Sequence, residues 1–376
     1  MSASIVTNKE KKVSPVYYKG LNGIRAIAAL SVIVSHLFEV MKEVNPAFAF
    51  SSMDMANFGV TMFFALSGFL ITSLLLLEQQ QTGAVHIKAF YVRRILRIWP
   101  IYYLYIALCV ISIPLLTGTS ILQPSLGYYL AFGANIPFIL GGGLTGISHM
   151  WSIGVEEQFY AFWPWLFRKV NNIATKLWIV VIVLILLRVI GYVLLKQFDF
   201  PWVYRVVHVV RFDCMGIGGI AALLYHQKSK WVQVLASVPA QLVSGTILVL
   251  IALGKFRMWM LIEHQLVALL TVCIILANIV HTKPLLQLEN PVFNVLGKIS
   301  YGLYVYHPLI IIVTVAMLKG TALSVAAMSW LLFAIALTAS IVLSYLSYEY
   351  FEKPFLKWKT KFALVKSSNE SQPQQS

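Results

Sequence analysis

Apolar residues in this chain do not alternate; they run in blocks of about twenty, the length one helix needs to cross a bilayer core of roughly 30 Å. Blocks at 21–40, 58–77, 99–116, 151–167, 177–195, 203–225, 232–253, 264–281, 300–318 and 324–348 predict about ten membrane helices. The expected fold class is therefore all-α, a polytopic membrane helical bundle. One further apolar stretch, 126–140, is short and carries Asn135 and Pro137 ahead of Gly141, Gly142 and Gly143. Loop charge decides how to read it. If it does not cross, the basic clusters Lys9/Lys11/Lys12/Lys19, Lys88/Arg93/Arg94/Arg97, Arg168/Lys169/Lys176, Lys228/Lys230 and Lys353/Lys357/Lys359 all fall on one side. The positive-inside rule makes that side cytoplasmic. The stretch then reads as a re-entrant or half helix, which membrane depth tolerates only where protein packs it or it lines a cavity.

With that topology both termini are cytoplasmic, and the loops carrying Glu39, Glu43 and Asp54, and later Asp199, lie outside. The expected organisation is a basic cytoplasmic segment at 1–20, a transmembrane domain at 21–355 and a cytoplasmic tail at 356–376. The Ser, Gln and Asn content of 367–376 predicts disorder there. No internal repeat of the kind found in many transporters is visible.

Composition agrees with a life in lipid, since 59% of residues are hydrophobic and only 11% charged, which leaves no long polar region for a second, soluble domain. The formal net charge of +15 would suggest nucleic acid for a soluble protein. Here the basic residues sit in short loops and near the ends, where they act as topology signals and exclude that partner. Cys109, Cys214 and Cys273 lie in apolar stretches without CxxC spacing, so neither disulfides nor a metal site are expected. The first apolar run is too long for a cleaved signal peptide and suits a retained helix of a multi-pass inner-membrane protein.

Ionisable side chains inside membrane helices are costly and are functional candidates by default. Arg25 and His36 share the first block. Eleven positions separate them by about 16 Å along the axis and turn the helix through about 1100°, close to three full turns, so they project from nearly one face. Arg25 falls near the cytoplasmic surface, where snorkelling is an equal alternative; His36 falls in the outer half. Glu156 and Glu157 lie one turn into another apolar helix, at the depth expected for His36. A carboxylate there would fix the tautomer of a general base, whereas the helix dipole accounts comfortably for one Glu only. Arg93, Arg94 and Arg97 precede Trp99 and Pro100 on the cytoplasmic side. They serve either as a topology anchor or, through the i,i+4 pair Arg93 and Arg97, as a bidentate grip on phosphates. Arg205, His208, Arg211 and Asp213 fall in one block, suited to internal pairing or to substrate contact. His307 precedes Pro308 and reads either as a substrate contact or as a polar group beside a proline kink.

Taken together, seven blocks resemble the acyltransferase-3 family of membrane acyltransferases. They are Gly20–Ala26 with His36, Gly59–Thr72, Arg93–Pro100, His149–Tyr160, Arg211–Asp213, Gly297–Tyr304 and Glu352–Phe355. The family usually has Asp where Asn22 stands and often where Thr61 stands, so neither position takes a catalytic carboxylate role. The resemblance implies roughly ten membrane helices, an acyl-CoA donor bound from the cytoplasm and an acceptor on the other face. It places catalysis on Arg25, His36, Glu156 and Glu157, and the donor phosphates on Arg25, Arg93, Arg94 and Arg97. His149, Trp151, Arg211, Tyr301 and His307 are the expected substrate contacts. In the expected reaction His36, oriented by Glu156 or Glu157, deprotonates a hydroxyl or first takes the acetyl group itself. Acetyl-CoA is the expected donor, without a metal, and the acceptor a carbohydrate such as O-antigen, exopolysaccharide or a lipid-linked glycan. Many members carry a fused esterase-like domain; the expectation here is a free-standing enzyme without one. The rival readings are a secondary transporter and a flippase-like subunit of a polysaccharide assembly system.

Overall fold

The computed structural model describes residues 17–46, 48, 55–168, 172–198, 201–256, 258–259 and 261–362, and among these there are helices and no strands. In order they are α1 (Leu21–Val44), α2 (Met55–Thr82), α3 (Ile87–Thr117), α4 (Leu126–Leu130), α5 (Asn135–Ile139), α6 (Trp151–Phe162), α7 (Ile173–Phe198) and α8 (Pro201–Val210). Then follow α9 (Phe212–His226), α10 (Lys230–Leu235), α11 (Val238–Ala252), α12 (Glu263–Val280), α13 (Pro291–Lys298), α14 (Ser300–Leu318), α15 (Val325–Leu346) and α16 (Lys353–Thr360). Short 3₁₀ turns at Ser148–Met150 and Trp163–Phe167 flank α6, and a π-helical turn at Ser347–Glu352 joins α15 to α16.

Local chemistry sets many of these ends. Ser229, Ser237 and Ser324 accept hydrogen bonds from backbone amides two or three residues on and so start α10, α11 and α15. Asn290 does the same for α13, with Pro291 in its first turn. Among the described residues, length and apolar composition qualify seven helical runs to cross a bilayer: α1, α2, α3, α7, α12, α14 and the run from α15 to α16. The shorter helices α9 and α11 are also apolar. Large apolar side chains of α7, including Trp178, Ile182, Leu186 and Ile190, point outward, as lipid-facing residues must.

Helix α1 is central and packs against α2, α12, α13, α14 and α15. The tightest approach joins α2 to α9. A Cβ built on Gly68 would stand 1.9 Å from the Met215 carbonyl oxygen, and one on Gly218 would stand 2.0 Å from that of Ala65. Only glycine lets the two backbones meet so closely, as at small-residue interfaces of membrane helices.

Three expected spans differ in detail, and the stretch expected not to cross takes a definite form. The 203–225 block breaks at Arg211, whose backbone adopts φ 44°, so α8 and α9 are separate helices. The 232–253 block divides into α10 and α11 at the Ser237 cap. The 151–167 block is a 12-residue helix followed by a 3₁₀ turn around Pro164. The 126–140 stretch forms the two five-residue helices α4 and α5, too short to cross. Its irregular backbone is answered by protein: Gln158 on α6 donates to the Phe132 carbonyl at 3.1 Å and to Asn135 at 2.8 Å. Glu39 and Glu43, expected in a loop, lie on the last turns of α1. Lys9, Lys11, Lys12, Asp54, Lys169, Asp199 and 367–376 lie outside the described residues.

Candidate active site

Three cavities share walls along the inside of the bundle. The first, a basic mouth, is lined by Arg25, Arg94, Arg97, Lys298, Glu352 and Lys359. The second, about 90 Å³, keeps Arg25, Arg94, Arg97 and Tyr301 as common wall and adds Ser67, Ser152, Glu156, Tyr160 and Tyr304. The third is the widest at about 360 Å³; it meets the second at Val60 and Tyr304 and is lined by His36, Glu39, Asn57, His149 and Trp151. Arg25 and His36 therefore mark the two ends of one path. Their common helix face, legible from the eleven-residue spacing, meets the path at both ends, at Arg25 and at Val32 and His36.

Within the arginine cluster the division of labour departs from expectation. Arg93 is not on the mouth: it donates to Glu78 Oε2 at 2.8 Å and to the Phe362 carbonyl at 2.9 Å, and both charged side chains are buried. Glu78 also accepts from the His86 backbone N–H at 2.8 Å. Arg93 is thus a structural tie. Arg94 and Arg97 line the cavities, and Arg97, about 40° round the helix from Arg93 and about 60° from Arg94, stands between their directions, so packing and not spacing sets Arg93 apart. The Arg94 guanidinium rests over the rings of Phe90 and Tyr160 at 5.7 and 5.6 Å. Its Nε is buried without a hydrogen-bond partner among the described residues. Arg25 donates to Asn22 Oδ1 at 3.1 Å, and Asn22 in turn donates to Asn294 at 3.1 Å. Asn294 donates to Glu289, which also accepts from the Gly20 N–H and from Tyr17. This chain fixes the start of α1 and, with it, Arg25. A cavity wall of buried guanidiniums with unmet donors has the chemistry of an anion site.

The expected pairing of His36 with Glu156 or Glu157 does not form. Glu156 accepts from Ser67 Oγ at 2.5 Å and from Tyr160, and Glu157 accepts from Trp99 Nε1 at 3.1 Å. The cause is depth. The residue of this segment that reaches the level of His36 is His149, in the 3₁₀ turn before α6, and Glu156 lies seven positions further in, roughly 10 Å at helical rise. The acids stand beside the arginines instead, where Glu156 is a counter-charge to Arg25 and Arg94.

His36 meets a histidine. Its Nδ1 is 2.8 Å from His307 Nε2, and His307 Nδ1 is 3.1 Å from the Leu303 carbonyl. His307 is fully buried and does not line the outer cavity, which corrects its reading as a substrate contact. Arg211 is corrected likewise. It donates to the His208 carbonyl, the Asn57 carbonyl, Asn57 Oδ1 and Thr61 Oγ1, all within 3.1 Å. Those bonds clamp the break between α8 and α9 to α2 and leave it behind the Trp151 ring, 5.3 Å away. His149 and Trp151 do line the outer cavity. The His149 Nε2–H donates to the Val305 carbonyl at 3.2 Å, and Trp151 stacks on Phe138 at 5.1 Å. Tyr301 lines the inner cavities while donating to the Ile98 carbonyl at 2.9 Å. Sequence reasoning missed Glu352, although it belongs to a quoted block, and Glu39, although it stands one turn beyond His36.

The chain belongs to the acyltransferase-3 family: the family model described as an acyltransferase domain matches residues 18–349. The seven sequence blocks had pointed to that family. Among relatives, a Staphylococcus aureus (strain COL) protein named "Putative O-acetyltransferase" is 28% identical over 369 residues, covering 91% of this chain and 58% of its own length. O-acetyltransferase OatA of Staphylococcus aureus (strain NCTC 8325) is 26% identical over 379 residues, covering 93% of this chain and 58% of its own length. The chain thus spans less than two thirds of the length of these relatives. No solved structure matches it.

Proposed function

We propose that this protein is an O-acyltransferase of the inner membrane. It takes an acetyl or other short acyl group from acyl-CoA at the cytoplasmic face and places it on a hydroxyl of an extracytoplasmic carbohydrate, such as O-antigen, exopolysaccharide or a lipid-linked glycan. The observation that carries this reading is the shared-wall path from a guanidinium-lined mouth to an imidazole-lined outer cavity. Both termini lie on the cytoplasmic side; Lys298 and Lys359, at the mouth with the arginines, follow the positive-inside bias. Arg25, Arg94 and Arg97 hold the donor phosphates, and the thioester arm extends through the second cavity past Glu156 and Tyr160. The acceptor occupies the outer cavity, whose wall includes Trp151, His149, Asn57 and Glu39.

His36 Nε2 then takes the proton of the acceptor hydroxyl as its oxygen bonds to the acyl carbon. The carbon–sulfur bond breaks, and the departing thiolate receives that proton. The relatives' names as O-acetyltransferases support the acyl group and the oxygen acceptor. The test is transfer of labelled acetyl from acetyl-CoA to an oligosaccharide by purified protein in nanodiscs. His36→Ala should lose about 10²–10⁴-fold, the contribution of a general base, with membrane insertion intact. Retained transfer would remove His36 from the chemistry, and absence of any acetyl transfer by the unaltered protein would favour a transporter.

A further inference from the structure

We infer that His307 is the positioning residue of His36, so that an imidazole takes the orienting place expected of Glu156 or Glu157; this rests on His36 being the base. The hydrogen-bond network assigns the tautomers. The Leu303 carbonyl can only accept, so His307 Nδ1 carries a hydrogen and donates at 3.1 Å. His307 Nε2 is then a lone pair, and it stands 2.8 Å from His36 Nδ1, which must donate to it. The remaining nitrogen of His36, Nε2, keeps its lone pair, and His36 forms part of the outer cavity wall. The ring planes differ by only 15° and the centroids stand 5.1 Å apart, about the length of the N···N contact plus the two ring radii, so the rings meet edge to edge, as an in-plane N–H···N bond allows.

His307 is held firmly enough for this task. It has no exposed surface, and His149 packs edge-on against its ring at a centroid distance of 5.4 Å while bonded to the Val305 carbonyl of the same helix, α14. Pro308 follows, lacks a backbone N–H and so cannot bond the Tyr304 carbonyl one turn back. When His36 takes a proton on Nε2, its Nδ1–H still points at His307, and the bond becomes charge-assisted. A neutral orienting partner does this without burying an anion in the membrane interior.

The experiment uses the full chain in nanodiscs with ¹⁵N-labelled histidine, His36 being assigned from the signal lost in His36→Ala. In the unaltered protein His36 should be protonated on Nδ1 with Nε2 as acceptor. In His307→Leu it should revert to a tautomer mixture, and kcat for acetyl transfer should fall about 10- to 100-fold, by analogy with the loss of a partner that orients a metal-bound histidine, with the donor KM unchanged. His307→Gln, which returns an acceptor near the Nε2 position, should recover part of kcat and of the Nδ1–H tautomer. If His36 carries its proton on Nε2 in the unaltered protein, or if His307→Leu keeps full kcat, the pairing is overturned. The spectrum needs no turnover, so an active His36→Ala would refute the base assignment separately. Should His307→Leu fail to fold, the unaltered spectrum and His307→Gln still decide.

Discussion

Three arginines within five residues, Arg93, Arg94 and Arg97, look interchangeable in sequence yet are held in unlike surroundings, and removing them one at a time should produce unlike failures. Arg93→Ala takes one member from a buried ion pair and leaves Glu78, which is 1% exposed, with His86 as its remaining partner. Breaking a buried pair in this way costs about 3–5 kcal/mol, most of it the penalty of stranding the other charge. Arg97→Ala removes a cation that makes no hydrogen bond or ion pair among the described residues, so stability should hold. What it loses is a charged hydrogen bond to donor phosphate, about 1.5–3 kcal/mol, or roughly 10- to 150-fold in acetyl-CoA Kd. The assay pairs an unfolding titration in mixed micelles with calorimetric acetyl-CoA binding on the folded fraction. Arg93→Ala should unfold early and bind normally, and Arg97→Ala should do the reverse. Replacing both partners, Arg93→Met with Glu78→Leu, should recover much of the lost stability, because an apolar pair strands no charge. The reasoning fails if Arg93→Ala weakens donor binding as much as Arg97→Ala while leaving stability unchanged.

Two further outcomes follow from features outside the path. Burial of the Glu289 carboxyl acts to raise its pKa, but hydrogen bonds from Tyr17, the Gly20 amide and Asn294, with the charge of Lys19, outweigh burial and hold it below the ordinary 4.5. A depressed folded value means its contribution is full above pH 4.5 and is lost as pH falls through the folded value. The stability difference between unaltered protein and Glu289→Gln should therefore be flat from pH 7 to about 5 and shrink below 4.5; a difference that grows on acidification would contradict the assignment. At the α2–α9 contact, Gly218→Ala puts a methyl 2.0 Å from the Ala65 oxygen and should cost at least about 1–3 kcal/mol as overpacking. Gly245→Ala, whose nearest neighbour is 3.6 Å away, should be silent in the same unfolding titration, and equal effects of the two would refute the close-approach argument.

Helices were legible because a bilayer demands long apolar runs, and the residues of those runs satisfy their own backbone hydrogen bonds. The break at Arg211 was not, since its left-handed backbone is held by Asn57 and Thr61, some 150 positions earlier, on another helix. The Arg25 and His36 face could be read from spacing along one helix. The partner of His36 could not, because His307 lies 271 residues away and only packing brings them together. A carboxylate was the chemically reasonable guess for that partner, and it failed on register: a few positions of α6 move the acids from the level of the imidazole to that of the guanidiniums. The choice of Arg94 over Arg93 is a rotation of α3 about its own axis, which depends on its neighbours and leaves no trace in the order of residues.

The second cavity is the narrow part of the path, walled by Phe63, Phe64, Leu70 and Ile71 as well as by Arg25, Arg94 and Arg97. Three guanidiniums against the single carboxylate of Glu156 leave this wall net positive, and a net positive wall repels protons and metal cations. Under the proposed function, such a wall lets the acyl group change sides while the electrical potential and proton gradient across the bilayer stay undischarged.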